Sequence, residues 1–292
     1  MQAVTLILAT AKDHTLNEKT RLFLNRIRHL GYIATPWVNH ITIYCKKYGL
    51  QFKSHKRDGI GKDISYKYGV YAEDYVNRYF HNKCHLKPGG IMLDIGANIG
   101  WYSVLMAREC GLKVYAFEPH PFNFAMLSEN IRINHLDNIQ AFQNAIADRE
   151  GKMKLHIYKS YNMGRHSLVD HGKTGRFHEV DTISIDGFMK KHNLDQSPVE
   201  LFKIDIEGFE MAALRGAAST LARTRYIFSE YSPAIMTSIN ESPVEYVDLL
   251  QGFGFKSYII QDENSAIPVS YETLKSYKDG VHNIFWSRET QA

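Results

Sequence analysis

From Pro88-Gly89-Gly90 onward, short apolar runs alternate with amphipathic stretches, the pattern of parallel strands joined by helical crossovers. Ile91–Ile95 predicts a buried strand, Gly100–Cys110 a helix, Lys113–Glu118 a second strand and Pro121–His135 a second helix. A third strand is expected over Ile139–Ala147, after which Met153, Leu155 and Ile157 alternate at strand spacing. The pattern resumes with strand Glu179–Ile183, helix Ile185–Lys191, strand Leu201–Ile206, helix Glu207–Leu221 interrupted near Gly216, and strand Tyr226–Tyr231. A helix around Pro243–Gln251 and strands Phe255–Ile260 and His282–Trp286 complete the expected sheet. Between Lys159 and Arg176 runs a polar stretch with Gly164, Gly172 and Gly175, too long for a simple connector; loops of that length often gate sites.

The N-terminal part reads differently. Ala3–Ala9 is apolar, too short to span a bilayer and without a basic leader, so it reads as a buried strand. Leu16–Leu30 carries Phe23, Ile27 and Leu30 at helical spacing, Ile41–Tyr44 and Leu50–Phe52 read as strands around Gly49, and Tyr71–Phe80 as a helix. The expected division is residues 1–80 as a cap or substrate region and 81–292 as the main domain. Composition adds limits: 44% hydrophobic and 23% charged residues are globular values that exclude wholesale disorder. A net charge of +4, without a block of like charges, calls for neither nucleic acid nor an anionic membrane. Cys45, Cys84 and Cys110 form no Cys-x-x-Cys pair, which fits a reducing compartment and leads to the expectation of a cytoplasmic protein.

The chemistry concentrates in Leu93-Asp94-Ile95-Gly96-Ala97-Asn98-Ile99-Gly100, where a strand turns into a helix. In an open parallel sheet, ligands bind beyond the carboxyl ends of the strands, so a nucleotide-like cofactor is expected at this turn. Ala97-Asn98-Ile99 replaces the middle glycine of a dinucleotide loop, and the phosphate-loop lysine is absent. Asp94 would repel a pyrophosphate but attract an ammonium group, which S-adenosylmethionine supplies. Glu118, in Phe117-Glu118-Pro119 at the next strand end, is placed to accept bonds from ribose hydroxyls.

These segments resemble the FkbM-type family of class I S-adenosylmethionine-dependent methyltransferases. Asp94–Gly100 resembles its first motif, Phe117-Glu118-Pro119 its second, Lys203-Ile204-Asp205-Ile206-Glu207-Gly208-Phe209-Glu210 its fourth-strand segment and Phe228-Ser229-Glu230 its fifth-strand end, over roughly residues 70–286. The resemblance implies an α/β, Rossmann-like sheet of about seven strands with the last antiparallel, preceded here by an N-terminal α+β cap region. It implies methyl transfer from S-adenosylmethionine to a hydroxyl of a carbohydrate or natural product. Carried over by position, Asp94, Gly96, Ala97, Asn98 and Gly100 surround the methionine end, Glu118 and Pro119 the ribose, and Asn144 and Ala145 the adenine edge. Tyr102, at the start of the following helix, is a candidate for the methionine carboxylate, with Trp101 packed nearby.

Methyl transfer to an alcohol needs positioning and a proton acceptor. Asp205 is the first candidate base, because the fourth strand of the family topology lies beside the first. An ordinary carboxylate is a weak base toward an alcohol, so burial that raises its pKa, a histidine, or a divalent ion acidifying the hydroxyl are the alternatives. His166, beside Arg165 on the long loop, is the candidate histidine, and Glu230 the candidate that holds substrate hydroxyls or orients the base. Asp205, Glu207 and Glu230 are an oxygen set for Mg2+, ranked below metal-independent chemistry, and Glu210 is assigned to helix capping. Glu73 could reach the cofactor from the N-terminal helix, but a charged helical face explains it equally well, and it is left outside the site. The expected partner is a small-molecule or glycan acceptor, with no nucleic acid and no membrane-spanning segment. The competing readings are an N-methyltransferase, an NAD-dependent oxidoreductase, a nucleic-acid methyltransferase and a non-catalytic S-adenosylmethionine-binding protein.

Overall fold

The computed structural model describes residues 6–8, 31, 34, 39–56, 58–66, 70–157, 166–169 and 175–289. The helix expected over Leu16–Leu30, most of the stretch from Lys159 to Arg176, and Arg165 with it, lie outside the described residues. Strands β1 (Leu6–Leu8), β2 (His40–Cys45) and β3 (Leu50–His55) form a small sheet in that order, β1 parallel and β3 antiparallel to β2. Helices α1 (Gly59–Tyr66) and α2 (Asp74–Lys83) lead to β4 (Ile91–Ile95), α3 (Trp101–Glu109), β5 (Lys113–Phe117), α4 (Pro121–Ile133) and β6 (Ile139–Phe142). Next come β7 (Ala145–Ile146), β8 (Gly151–His156) and β9 (Phe177–Ile183), a second small sheet ordered β7-β9-β8. Then follow α5 (Ile185–Lys191), β10 (Val199–Ile204), α6 (Glu210–Arg215), α7 (Ala218–Leu221), β11 (Thr224–Tyr231) and α8 (Pro233–Ser238). The last elements are α9 (Pro243–Gly252), β12 (Lys256–Ile260), β13 (Ala266–Pro268), α10 (Tyr271–Ser276) and β14 (His282–Ser287).

The main sheet has the order β13-β12-β14-β11-β10-β4-β5-β6. From β11 to β6 all neighbours are parallel, and β14 is inserted antiparallel between β11 and β12. These are the expected seven strands with the last one antiparallel; the short β13 adds an eighth at the edge. The expectation of one strand over Ile139–Ala147 is corrected. Ile139–Phe142 pairs with β5, but the chain then leaves the sheet and Ala145–Ile146 pairs with β9 instead.

The two covered faces of the sheet explain why its central strands are largely apolar on both sides. Successive side chains point to opposite faces, so Met92, Leu201, Phe228 and Phe285 join the core under α2 and α3, while Leu93, Phe202, Ile227 and Trp286 join the core under α5 and α9. The first of these cores also contains Ile41, Phe52, Val76 and Phe80 from the N-terminal part. That part is further tied down by α4. Asn134 accepts from Gln51 N at 2.8 Å and donates to Gln51 O at 2.7 Å, while Asn130 accepts from Lys53 N at 2.6 Å and donates to Lys53 O at 3.1 Å. Two amides four residues apart lie on one helix face, and here they satisfy the outer edge of β3 as a neighbouring strand would. Asn130 also donates to Ile99 O at 2.8 Å, linking that edge to the glycine turn. Among the described residues, no helix is long and apolar enough to cross a membrane.

Candidate active site

The site begins where β4 ends. Gly96 and Ala97 both donate their N–H groups to Phe117 O at 3.0 Å, which locks the end of β4 to the end of β5. Gly96 has φ +77°, and a Cβ there would run into the carbonyl oxygen of Asp205, so only glycine lets these two loops meet. Asn98 follows in the left-handed region with φ +53°. Its N–H donates to Glu118 Oε2 at 2.9 Å, and His120 N donates to Glu118 Oε1 at 2.9 Å. Burial pushes the Glu118 carboxyl up to about 7, against the pull of these two N–H groups, the charge of Lys203 and the Asn123 side chain.

A cavity of about 450 Å³ opens above these strand ends. Gly96, Ala97, Asn98, Tyr102, Glu118, Pro119, Asn144, Ala145, His166, Asp205 and Glu230 all line it, so most of the expected site residues meet in one place. Two do not. Gly100 packs away from the cavity, where a Cβ would press on Leu127 Cδ1 at 2.6 Å. Asp94 is fully buried behind the wall: Ser103 Oγ donates to its Oδ2 at 2.5 Å, and Lys203 Nζ lies 3.5 Å from its Oδ1. The expectation that Asp94 faces an ammonium group of a ligand is therefore corrected, because the protein's own ammonium already stands there.

Lys203 is the cation around which the acids are arranged. Its Nζ donates to Gly96 O at 2.9 Å and lies 3.7 Å from Asp205 Oδ2. Burial works to discharge it, but Asp94, Asp205 and Glu73 together outweigh that effect and hold its pKa above the ordinary lysine value. Asp205 sits just past β10, its N–H donating to Ile95 O at 3.1 Å and its side chain 45% exposed. Ligand oxygens of Asp205, Glu207 and Glu230 lie within 4.8 Å of one another, a geometry that could hold a divalent ion. Burial first, then the charges of Asp205, Glu207 and Glu210, pushes the Glu230 carboxyl well above the usual carboxylate range, which favours its protonated form. Glu210 accepts from Ile206 N at 3.0 Å and Gly208 N at 3.2 Å, which is a helix-start role.

His166 lines the cavity, as expected. Its ring stacks on His120 with centroids 4.2 Å apart, and burial followed by the charge of His178 pushes it down to about 4. A lowered pKa weakens a histidine as a proton acceptor, which ranks it below Asp205 as the candidate base. The adjacent Ser167 donates to Glu207 O at 2.8 Å, pinning this piece of loop to the turn after β10.

Glu73, left outside by sequence reasoning, lines the cavity. Tyr102 OH donates to its Oε2 at 2.7 Å and Asn283 Nδ2 donates to its Oε1 at 3.0 Å. Tyr102 is thus engaged with Glu73 rather than free to meet a carboxylate. Beside it, the buried Trp101 indole N–H has no acceptor among the described residues. Asp63, Tyr71 and Asn283 are further lining residues that sequence reasoning missed. The signal for Glu73 was a carboxylate just before a helix start, with a phenol two positions past the glycine turn.

Strand order, glycine turn and the acid at the neighbouring strand end define a Rossmann-like methyltransferase fold of class I topology. The chain belongs to the methyltransferase FkbM domain family, whose profile matches residues 94–257. It is 29% identical over 163 residues to the 2-O-methyltransferase NoeI of Sinorhizobium fredii, an alignment covering 50% of this chain and 65% of that protein. To the 31-O-demethyl-FK506 methyltransferase FkbM of Streptomyces tacrolimicus it is 25% identical over 224 residues, 66% of this chain and 83% of that protein. To the hexuronic acid methyltransferase AglP of Haloferax volcanii it is 24% identical over 140 residues, 48% of this chain and 55% of that protein. The chain thus spans somewhat less than two-thirds of NoeI and just over half of AglP.

Proposed function

We propose that the protein is an S-adenosylmethionine-dependent O-methyltransferase acting on a hydroxyl of a carbohydrate or natural-product acceptor. The observation that carries this reading is the sharing of one cavity by the Gly96 turn, the doubly bonded Glu118 and the acid pair Asp205 and Glu230. The residues fit the cofactor. Glu118, held by backbone N–H groups, and Asn144 with Ala145 line the same cavity, which supports a ribose beside the first and an adenine edge beside the other two. The Gly96, Ala97 and Asn98 turn lines the same cavity and is the side from which the amino-acid end would be held. Family membership, and relatives named as 2-O- and 31-O-methyltransferases, support the same assignment.

Bound there, S-adenosylmethionine supplies a methyl carbon activated by a sulfonium, whose C–S bond electrons stay with sulfur. The protein's part is to align the acceptor oxygen and remove its proton. Asp205 takes that proton as the oxygen bonds to the methyl carbon. Glu230, in the protonated form that burial favours, donates a hydrogen bond to the acceptor or to Asp205 and fixes their relative positions. Residues 1–80 serve as a cap on the acceptor side, contributing Ile60, Asp63 and Tyr71 to the cavity wall.

The test is transfer of a labelled methyl group from S-adenosylmethionine to a panel of glycosides and hydroxylated natural products, with and without EDTA. Label in an ether methyl group, undiminished by EDTA, is expected. Label on nitrogen would overturn the O-specificity, and loss with EDTA restored by Mg2+ would assign the Asp205, Glu207 and Glu230 oxygens to a cation.

A further inference from the structure

Asp94, the acid at this turn, does not face the cavity: it is fully buried, with Ser103 donating to its Oδ2 and Lys203 Nζ 3.5 Å from its Oδ1, and Lys203 also donates to Gly96 O. A cationic amino group entering the cavity therefore needs another anion. The carboxylate of Glu73 meets the requirement geometrically. It lines the cavity and is fixed by two neutral donors, Tyr102 OH at 2.7 Å and Asn283 Nδ2 at 3.0 Å. Each of these occupies one direction on one oxygen, and a carboxylate accepts about four hydrogen bonds, so acceptor positions remain.

We infer that Glu73, and not Asp94, binds the ammonium group of the S-adenosylmethionine amino-acid end, so that the segment before the main sheet completes the cofactor site. This inference rests on the cofactor reading above. Three elements converge to build the anion: Glu73 precedes α2, Tyr102 lies in α3 and Asn283 in β14. Burial pushes the Glu73 carboxyl above its ordinary value, and an arriving ammonium offsets that burial by a charge-assisted bond. The amino-acid end has an opposite charge to place as well. The indole N–H of Trp101, without an acceptor among the described residues, lies in the same wall, at the start of α3, and is suited to the ligand's carboxylate. Tyr71 spans the two sides, its ring 5.9 Å from that of Trp101.

The experiment is a cycle of two proteins and two ligands, read by titration calorimetry on the full chain. The ligands are S-adenosylhomocysteine and its analogue with hydrogen in place of the amino group. Wild type is expected to lose roughly tenfold or more in affinity when the amino group is removed, the size of one charge-assisted hydrogen bond. Glu73→Gln keeps the shape and is expected to bind S-adenosylhomocysteine about tenfold more weakly, and to discriminate between the two ligands by less than about threefold. Should Glu73→Gln fail to fold, Glu73→Asp keeps the charge but withdraws it by one methylene and is expected to show the same loss of discrimination in part. Full wild-type discrimination in Glu73→Gln, or in Glu73→Asp where that variant carries the test, would overturn the inference while leaving the cofactor reading intact. Absence of S-adenosylhomocysteine binding to wild type would remove both.

Discussion

Asp205→Asn is expected to lower kcat by roughly 10²- to 10⁴-fold, the range of a lost general base, while changing the Kd for S-adenosylhomocysteine by less than about threefold. The asparagine keeps the size of the side chain and the backbone position, in which Asp205 N donates to Ile95 O and the carbonyl lies over Gly96. It removes only the capacity to take a proton. The half-exposed carboxylate stands beside Lys203 in the same cavity as Glu230, whose protonated form is favoured, so that it acts as a donor. Single-turnover rates with a productive acceptor, measured alongside calorimetric binding of the product, separate the two effects. A variant that retains its single-turnover rate would place the base elsewhere in the cavity.

Lys203→Met is expected to destabilise the fold by about 3–5 kcal/mol, the cost of breaking a buried ion pair by removing one partner. Asp94 is fully buried, and its Oδ1 has Lys203 Nζ as its ionic neighbour at 3.5 Å. The methionine fills the volume of the aliphatic stem but leaves a carboxylate in the core without its counter-charge. Gly96 O loses its 2.9 Å donor in the same step. Adding Asp94→Asn in the Lys203→Met chain is expected to recover most of the loss, because a neutral amide can still pair with Ser103 Oγ. Urea unfolding of the three variants, with unchanged slope, measures this. Equal stability of wild type and Lys203→Met would show that the charge on Asp94 needs no partner.

Much of the architecture was legible because its signals are local. Ile91–Ile95 followed by glycines, and the acid of Glu118 at the end of the next apolar run, identify adjacent strand ends without any knowledge of distant residues. The elements that escaped are short: α1 has eight residues, α8 six, α10 six and β13 three. The bend that divides Ile139–Phe142 from Ala145–Ile146 was hidden for another reason. Both pieces are apolar, and their separation comes from β9, which draws Ala145–Ile146 into its own sheet.

Within the site, the unreadable part was the choice of partner. Asp94 reads as a ligand-facing acid until Lys203, far along the chain, is seen to occupy it. Glu73 reads as a surface charge until Tyr102 and Asn283 converge on it. His166 reads as a loop base until His120 stacks on its ring. In each case the residue type was recognised but its role depended on a contact between segments that no spacing rule connects.

Titration calorimetry of the wild-type chain with S-adenosylmethionine, S-adenosylhomocysteine and NADH tests the account most directly. Saturable heat is predicted with both sulfur nucleosides, abolished or greatly weakened in Glu118→Ala, and none with the dinucleotide. Heat with NADH alone, or sulfur-nucleoside binding indifferent to Glu118, would contradict it.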